Sequence, residues 1–135
     1  MNEQESFVLA IADIDNLKEL NEKYSNDMGD SGIIAVGDTL RSSLAPSDTV
    51  ARFSGGEFAI AMKNITREEA NQKLERIRLA VESLHLRDKN DSPLPLHISI
   101  GATSSLEGSF EEMLSQADML LYNAKQAGKN RVFFE

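Results

Sequence analysis

Apolar runs along the chain predict five β-strands. The first run, 7–12, is continuously apolar and leads into the acidic segment 13–15, which is typical of a short buried strand with carboxylates at its end. The other strand-like runs are 49–53, 58–62, 96–101 and 132–134. The run at 96–101 alternates apolar and polar residues, so it predicts a half-buried strand that ends near Gly101.

Apolar residues spaced three or four apart predict four helices. They lie at 17–24, over the apolar face 33–44, from Thr66 to Leu84 and from Phe110 to Ala124. The turn-forming segment 45–48 ends the second helix, Thr66 caps the third, and Gly128 ends the fourth. The polar segment 87–95 contains two prolines and predicts a loop.

The order of these elements is strand, helix, helix, strand, strand, helix, strand, helix, strand. This order indicates the α+β class, with helices covering a largely antiparallel sheet, and the hairpin of 49–53 and 58–62 favours it. We find no internal repeat and no linker, so the chain reads as one domain over 1–135.

Composition excludes some classes of function but adds little to the prediction of the fold. The 135 residues carry a net charge of −8, which disfavours a nucleic-acid partner because an acidic surface repels a phosphate backbone. A small phosphorylated ligand is not excluded, since a local cationic cluster can outweigh distant acidic residues. The chain has no cysteine, so thiol chemistry is excluded. No signal peptide or membrane-spanning run is present, which predicts a cytoplasmic domain, although a parent protein could be membrane-anchored.

Two clusters could serve a metal or a phosphate. Asp13 and Asp15 close the first strand, where their carboxylates could bind a hard cation such as Mg²⁺; a solvated strand end is the equally favoured alternative. Gly55 and Gly56 form a hairpin tip that a ligand could approach closely, although an ordinary β-turn explains them as well.

Two further clusters could bind a nucleotide. Asn21 and Asp30 offer the donors and acceptors that could read a guanine edge, while helix capping and solvation are the plainer explanations. Lys125 and Lys129 flank the end of the last helix, where they could hold phosphate or simply complement the helix dipole.

In combination, the order and spacing of these clusters resemble the GGDEF (diguanylate cyclase) family along nearly the whole chain. The signature hairpin is Ser54-Gly55-Gly56-Glu57-Phe58. The other matching segments, in family order, are 13–18 with Asn21 and 29–30, 99–101, 117–118, 121–122, 124–125 and 128–132.

The resemblance implies the palm-like fold of nucleotidyl cyclases, with a central antiparallel sheet wrapped by helices. It also implies condensation of two GTP molecules to cyclic di-GMP by two facing domains, with Mg²⁺ or Mn²⁺ bound to the triphosphate. On this basis Asp13 and the backbone carbonyl of Ile14 match metal ligands. Asn21 and Asp30 match the guanine readers, and Lys125 and Lys129 match the phosphate-binding cations.

Two departures from the family pattern change the expected function. The third signature position, normally an acidic metal ligand, is Gly56, and the first position is Ser54. Glu57 keeps the fourth position; a one-residue shift along a strand reverses the side-chain direction, so a bulge would be needed to aim it at the missing role. The family's inhibitory Arg-x-x-Asp motif becomes 45–48 here, with Ala45 in place of arginine and Asp48 retained, which indicates a degenerate inhibitory site.

The leading hypothesis is therefore a degenerate GGDEF domain that regulates cyclic di-GMP signalling. It would bind GTP weakly, or bind a partner such as an EAL-type domain or a second GGDEF domain, and it would be a module of a longer signalling protein. The alternatives are a slow but active diguanylate cyclase and a ligand-free module that forms a homodimer.

Overall fold

The computed structural model describes residues 7–24, 26–87, 90–104 and 109–135, without the side chains of residues 26, 27 and 54. The first half of the chain contains β1 (Phe7–Ile14), α1 (Leu17–Lys23), α2 (Asn26–Ser43), β2 (Thr49–Ser54) and β3 (Glu57–Lys63). The second half contains α3 (Arg67–Glu82), β4 (Leu86–Arg87), β5 (Pro93–Leu94), β6 (Ile98–Ser104), α4 (Phe110–Gln126) and β7 (Val132–Phe134).

Five strands form one sheet in the order β2-β3-β1-β6-β7. The pairs β1–β3, β1–β6 and β2–β3 are antiparallel, and β7 alone runs parallel to its neighbour, β6. The predicted α+β class with a central, largely antiparallel sheet is confirmed. Strand β1 lies in the middle of the sheet, so the acidic residues at its end, Asp13 and Asp15, lie at the centre of one sheet edge.

The two faces of the sheet bury different apolar clusters because successive side chains of a strand point to opposite faces. The even-numbered residues of β1 from Val8 to Ile14 pack into a large core with α2 and α3. On the other face, Ile11 packs with Ala117 and Leu121 of α4. Helix α4 therefore covers the face toward which the odd-numbered residues of β1 point.

Helix α4 approaches the sheet closely at Gly101. A Cβ atom at this position would lie 2.2 Å from the carbonyl oxygen of Ala117 and 2.2 Å from the amide nitrogen of Leu121. Only a glycine at position 101 permits this contact. The contact holds α4, and with it Lys125 near the end of the helix, close to β1.

The region after α3 differs from prediction in two respects. The predicted loop at 87–95 includes β5 and the second residue of β4, and the two short strands pair with each other through Leu86 and Leu94. Strand β6 extends to Ser104 instead of ending near Gly101, and it is buried on both faces instead of being half-buried. The alternation of apolar and polar residues gave a wrong prediction of burial because Ser99 is buried despite its hydroxyl group, as is Thr103 further along β6.

Within the described part of the chain, no helix combines the length and the apolar character needed to cross a bilayer.

Candidate functional site

The end of β1 brings together two carboxylates of different character. Asp13 is partly exposed, whereas only 1% of the Asp15 side chain is accessible. Asp15 accepts hydrogen bonds from Ser99 Oγ at 2.7 Å and from the backbone N–H of Asn130 at 2.9 Å. A carboxylate buried to this degree is stable only when it is fully paired, so Asp15 is a structural anchor of the site.

Lys125, in the last turn of α4, joins the two carboxylates. Its Nζ lies 2.9 Å from Asp13 Oδ2 and 3.1 Å from Asp15 Oδ1. Burial by itself would lower the pKa of Lys125, but its hydrogen bonds and charge interactions with Asp13 and Asp15 outweigh burial and raise the pKa above its ordinary value. The Lys125 side chain is therefore protonated and held in place, and it offsets part of the negative charge at the end of β1.

Lys129 lies at the same edge but makes a weaker contact. It adopts a left-handed backbone conformation in the turn after α4, with φ of 65°, and its Nζ donates to Asn16 Oδ1 at 2.5 Å. Asn16 is itself left-handed, with φ of 59°, at the start of α1. Both predicted phosphate-binding lysines therefore lie beside the end of β1, and Lys125 is held there by two ion pairs.

The signature hairpin brings Glu57 opposite Asp13. The two residues are partners in the antiparallel pairing of β1 with β3, so their side chains share the face that α4 covers. The register of β2 shifts between Arg52 and Ser54, but Glu57 lies on β3, whose pairing with β1 is regular through Asp13, so this shift does not re-aim Glu57. Burial, and next the negative charges of Asp13 and Asp118, raise the pKa of Glu57 above its ordinary value.

Gly56 lies on the other side of the sheet and has little space around it. It is buried, and its carbonyl accepts a hydrogen bond of 3.0 Å from the N–H of Ile14. A Cβ atom on Gly56 would lie 3.1 Å from Ile14 Cβ and 3.1 Å from Leu17 Cδ2. Any side chain at the third signature position would therefore have to displace these two apolar residues.

The remaining signature residues are structural. Gly55 has a φ of 48° with open space around it, and Arg52 Nε donates to its carbonyl at 2.9 Å, which closes the turn. Phe58 is buried in the large core. The side chain of Ser54 lies outside the described residues.

The predicted guanine readers lie on α1 and α2, apart from the lysines. Asp30 is exposed, whereas Asn21 Oδ1 is buried and has no hydrogen-bond partner. No hydrogen bond or ion pair in the described ranges joins either residue to Asp13, Lys125 or Lys129. The candidate site residues therefore fall into two groups, the predicted base-reading pair and the charged strand end.

The segment matching the family's inhibitory motif is closed by contacts within the chain. Asp48 Oδ2 accepts from the N–H of Ala45 at 2.9 Å and from Lys73 Nζ at 2.9 Å, and only 2% of the Asp48 side chain is exposed. The carboxylate that the motif would offer to a ligand is thus already neutralised by Lys73, a residue that sequence reasoning missed because it lies on α3, 25 positions away.

The carboxylates present suit a divalent cation only in part. The described ranges contain no group of three or more His, Cys, Asp or Glu residues close enough together to bind a metal ion. Asp13 and Glu57 could hold Mg²⁺ together with nucleotide phosphates, since Mg²⁺ in proteins often takes one or two carboxylates plus phosphate oxygens. The donor set fits that shared arrangement and does not fit a site built from protein ligands alone.

Sequence reasoning also missed Ser99 and Asn130, which complete the environment of Asp15. Ser99 and Asn130 lie in segments that match the family pattern, but only the pairing of β1 with β6 brings Ser99 close to Asp15. Nothing in the local sequence pattern signals that contact.

A family model described as diguanylate cyclase, GGDEF domain, matches residues 1–131. Among curated proteins, the probable diguanylate cyclase DgcC of Escherichia coli K12 is 33% identical over 123 residues, covering 91% of this chain and 33% of DgcC. The diguanylate cyclase DgcP of Pseudomonas aeruginosa is 35% identical over 127 residues, covering 93% of this chain and 19% of DgcP. The chain thus spans a third or less of these relatives.

Solved structures show the same fold. The GGDEF domain of DgcB from Caulobacter crescentus, in complex with c-di-GMP, superposes with a TM-score of 0.91 at 28% identity, covering 96% of this chain and 78% of that one. The diguanylate cyclase SiaD from Pseudomonas aeruginosa, in complex with its activator SiaC, gives the same TM-score and identity over 96% of this chain and 50% of that one.

Proposed function

This chain belongs to the diguanylate cyclase GGDEF family, and on that basis we propose that it is a regulatory domain of cyclic di-GMP signalling that binds guanine nucleotide but makes little or no cyclic di-GMP. The observation that carries the proposal is the environment of Gly56. The third signature position has no carboxylate, and Ile14 and Leu17 lie 3.1 Å from the place where a side chain would begin.

Loss of that carboxylate weakens the chemistry more than the binding. When bound with nucleotide, Mg²⁺ would stabilise the charge that develops on the triphosphate during attack by a 3′-hydroxyl. Asp13 and Glu57 would hold it less firmly than three converging acids, and the loss of a single electrostatic group in a catalytic site typically costs on the order of 100-fold in rate.

The state of Lys125 supports the same conclusion. Its ammonium group pairs with both Asp13 and Asp15, at 2.9 and 3.1 Å. Moving it to a nucleotide phosphate would give up these two ion pairs, one of which involves a buried carboxylate. Binding of the triphosphate is therefore weak, while the base-reading pair Asn21 and Asp30 retains selectivity for guanine.

We expect this domain to be a module of a longer signalling protein, and the length of the curated relatives beyond the matched region supports that expectation. An EAL-type domain, a second GGDEF domain or a second copy of this chain would be the partner that senses the bound nucleotide. The turn at Ala45 and Asp48 does not take part, because its carboxylate is already paired with Lys73.

The decisive experiment incubates the purified chain with GTP and Mg²⁺ or Mn²⁺ and measures cyclic di-GMP by chromatography, with Asp13→Ala as the matched control. We expect no product above that control, together with GTP and GDP binding by calorimetry that Asn21→Ala weakens. Turnover that Asp13→Ala removes would overturn the loss of catalysis. Absence of binding at millimolar GTP and GDP with Mg²⁺ would favour a ligand-free dimerisation module.

A slow cyclase is the second candidate, and the pairing of Glu57 with Asp13 favours it. The two carboxylates share one face, so Glu57 could replace part of the missing ligand. The same assay separates the candidates: a slow cyclase loses its product in both Asp13→Ala and Glu57→Gln, whereas the regulatory domain has no product to lose.

A further inference from the structure

We propose that Gly29 is a positioning residue for base recognition, because its missing side chain makes the space in which the amide of Asn21 is held. The inference rests on the proposed function, since it assigns a new role within the same nucleotide site. It concerns the contact between α1, which carries Asn21, and the first turns of α2, which carry Gly29.

The contact is too close for any other residue. A Cβ atom on Gly29 would lie 1.7 Å from Asn21 Oδ1, 2.8 Å from its Cγ and 3.4 Å from its Nδ2. The whole amide group therefore lies against the backbone of Gly29. An alanine would force the Asn21 side chain into another rotamer, because the flexible side chain yields more readily than two packed helices.

Two unfavourable features meet at this contact, and stability alone accounts for neither. A glycine inside a helix is less favourable than alanine, yet α2 has glycine at this buried position. A buried polar atom without a hydrogen bond is also unfavourable, yet Asn21 Oδ1 has none. A ligand that opens this contact and supplies an N–H group to the oxygen would satisfy the second feature, and the glycine is what allows the oxygen to lie there.

The chemistry of the trapped oxygen defines the ligand it selects. A carbonyl oxygen accepts and cannot donate, so it favours an edge that presents N–H groups. Guanine presents a ring N–H and an amino group side by side, and the exposed carboxylate of Asp30, next to Gly29 in the chain, is a second acceptor for such an edge. Adenine presents an unprotonated ring nitrogen there, which would face the oxygen with a lone pair. Gly29 thus contributes to discrimination between the two bases.

The test is a double-mutant cycle of the full chain, Gly29→Ala and Asn21→Ala, singly and together, followed by thermal unfolding without ligand. In the parent chain we expect Gly29→Ala to give a less favourable change in Tm than in the Asn21→Ala background, because displacement of the Asn21 amide offsets the gain in helix propensity. In the Asn21→Ala background the same change should leave Tm unchanged or raise it, because the clash is gone and alanine favours the helix.

Binding of GDP and ADP, measured by calorimetry, supplies the readout that a purely structural role would not change. Gly29→Ala should weaken GDP binding at least 10-fold and leave the weak ADP binding unchanged, and the double variant should be no weaker than Asn21→Ala. Gly32→Ala is the matched control, one turn further along α2, where the nearest atom to the new Cβ is the Leu96 side-chain methyl Cδ2 at 3.2 Å. It should keep GDP affinity within twofold of the parent.

Equal Tm changes for Gly29→Ala in both backgrounds, or a Gly29→Ala variant that binds GDP like the parent, would overturn the inference and leave the proposed function intact. A parent chain that binds no GDP would instead overturn the proposed function, and the role in base recognition would fall with it.

Discussion

At the scale of single residues, the signature hairpin separates two adjacent positions onto opposite faces of the sheet. Glu57 faces Asp13 beneath α4, whereas Gly56 faces Ile14 and Leu17. The two-residue period of strands predicted that these neighbouring positions face opposite sides of the sheet, and that only a bulge could change this. It could not predict how closely Ile14 and Leu17 approach Gly56, because that distance depends on the packing of α1 against the sheet.

The space around Gly56 leads to a prediction for its substitution. Gly56→Ala should lower the free energy of unfolding by about 1–3 kcal/mol, the usual effect of inserting a methyl group into a filled core. Gly56→Asp should cost at least as much, since it adds a carboxylate among apolar groups. Urea unfolding measures both, and the difference between the two variants isolates the effect of the charge.

Crowding by Leu17 is the cause to be tested. In a Leu17→Ala background, Gly56→Ala should lose part of its cost, because one of the two contacts at 3.1 Å has been removed while that with Ile14 Cβ remains. Gly55→Ala is the matched control: its Cβ would meet open space, so its cost comes from the φ of 48° and should be the same in both backgrounds. A cost of Gly56→Ala that ignores Leu17 would contradict the packing argument.

At the scale of elements, the cap of α3 at Thr66 was predicted from the sequence, whereas the start of α2 at Asn26 and the cap of α4 at Ser109 were not. The hydroxyl of Thr66 accepts from the N–H of Glu69, whose carboxylate accepts from the N–H of Thr66, and Ser109 and Glu112 form the same box before α4. These contacts span three residues, so the local sequence is sufficient to specify them. The strands β4 and β5 were missed because each has two residues and no period to detect.

The capping box of α3 predicts a pH-dependent stability. The backbone N–H of Thr66, and next its hydroxyl, lower the pKa of Glu69 below its usual 4.5. A lowered folded-state pKa means that the stabilisation is fully present above 4.5 and is lost as the pH falls through the folded-state value. The stability difference between the parent chain and Glu69→Gln should therefore be largest at neutral pH and should disappear in acid.

Two further variants complete that measurement by urea unfolding across pH. Thr66→Ala removes the other half of the box and should cost about 1 kcal/mol, the usual loss for such a cap. Glu68→Gln changes the same charge in the same helical turn but leaves the box intact, so it should show a smaller pH dependence. Equal pH profiles for Glu68→Gln and Glu69→Gln would show that helix-dipole electrostatics, and not the box, stabilise this helix start.

At the scale of the whole molecule, the buried carboxylate of Asp15 connects its own strand end to three segments that lie 84 to 115 positions further along the sequence. It joins the end of β1 to Ser99 in β6, Lys125 in α4 and the backbone of Asn130 before β7. Sequence spacing identified Asp15 and Lys125 as candidates but gave no means of pairing residues 110 positions apart. That pairing follows from the sheet order, which places β6 beside β1 and α4 on their shared face.

This connection predicts that Asp15 is among the most sensitive positions for stability. Asp15→Ala would leave the Ser99 hydroxyl, the Asn130 N–H and the Lys125 ammonium without the acceptor that they share. Removing one partner of a buried ion pair typically costs about 3–5 kcal/mol. We expect a cost toward the lower end here, because Lys125 is partly exposed and keeps its ion pair with Asp13. Asp15→Asn, which keeps an acceptor oxygen but loses the charge, should fall between Asp15→Ala and the parent in urea unfolding.

The control for that prediction is an aspartate of the same chain that is paired at the surface. Asp38 lies 3.5 Å from Arg41 with 74% of its side chain exposed, and such pairs contribute at most about 1 kcal/mol. Asp38→Ala should therefore change the urea midpoint little. If Asp15→Ala came within 1 kcal/mol of Asp38→Ala, the four segments would be held by their apolar packing alone. Lys125 would then be free to leave Asp13 and Asp15 for a nucleotide phosphate at little cost, which would strengthen the case for a slow cyclase.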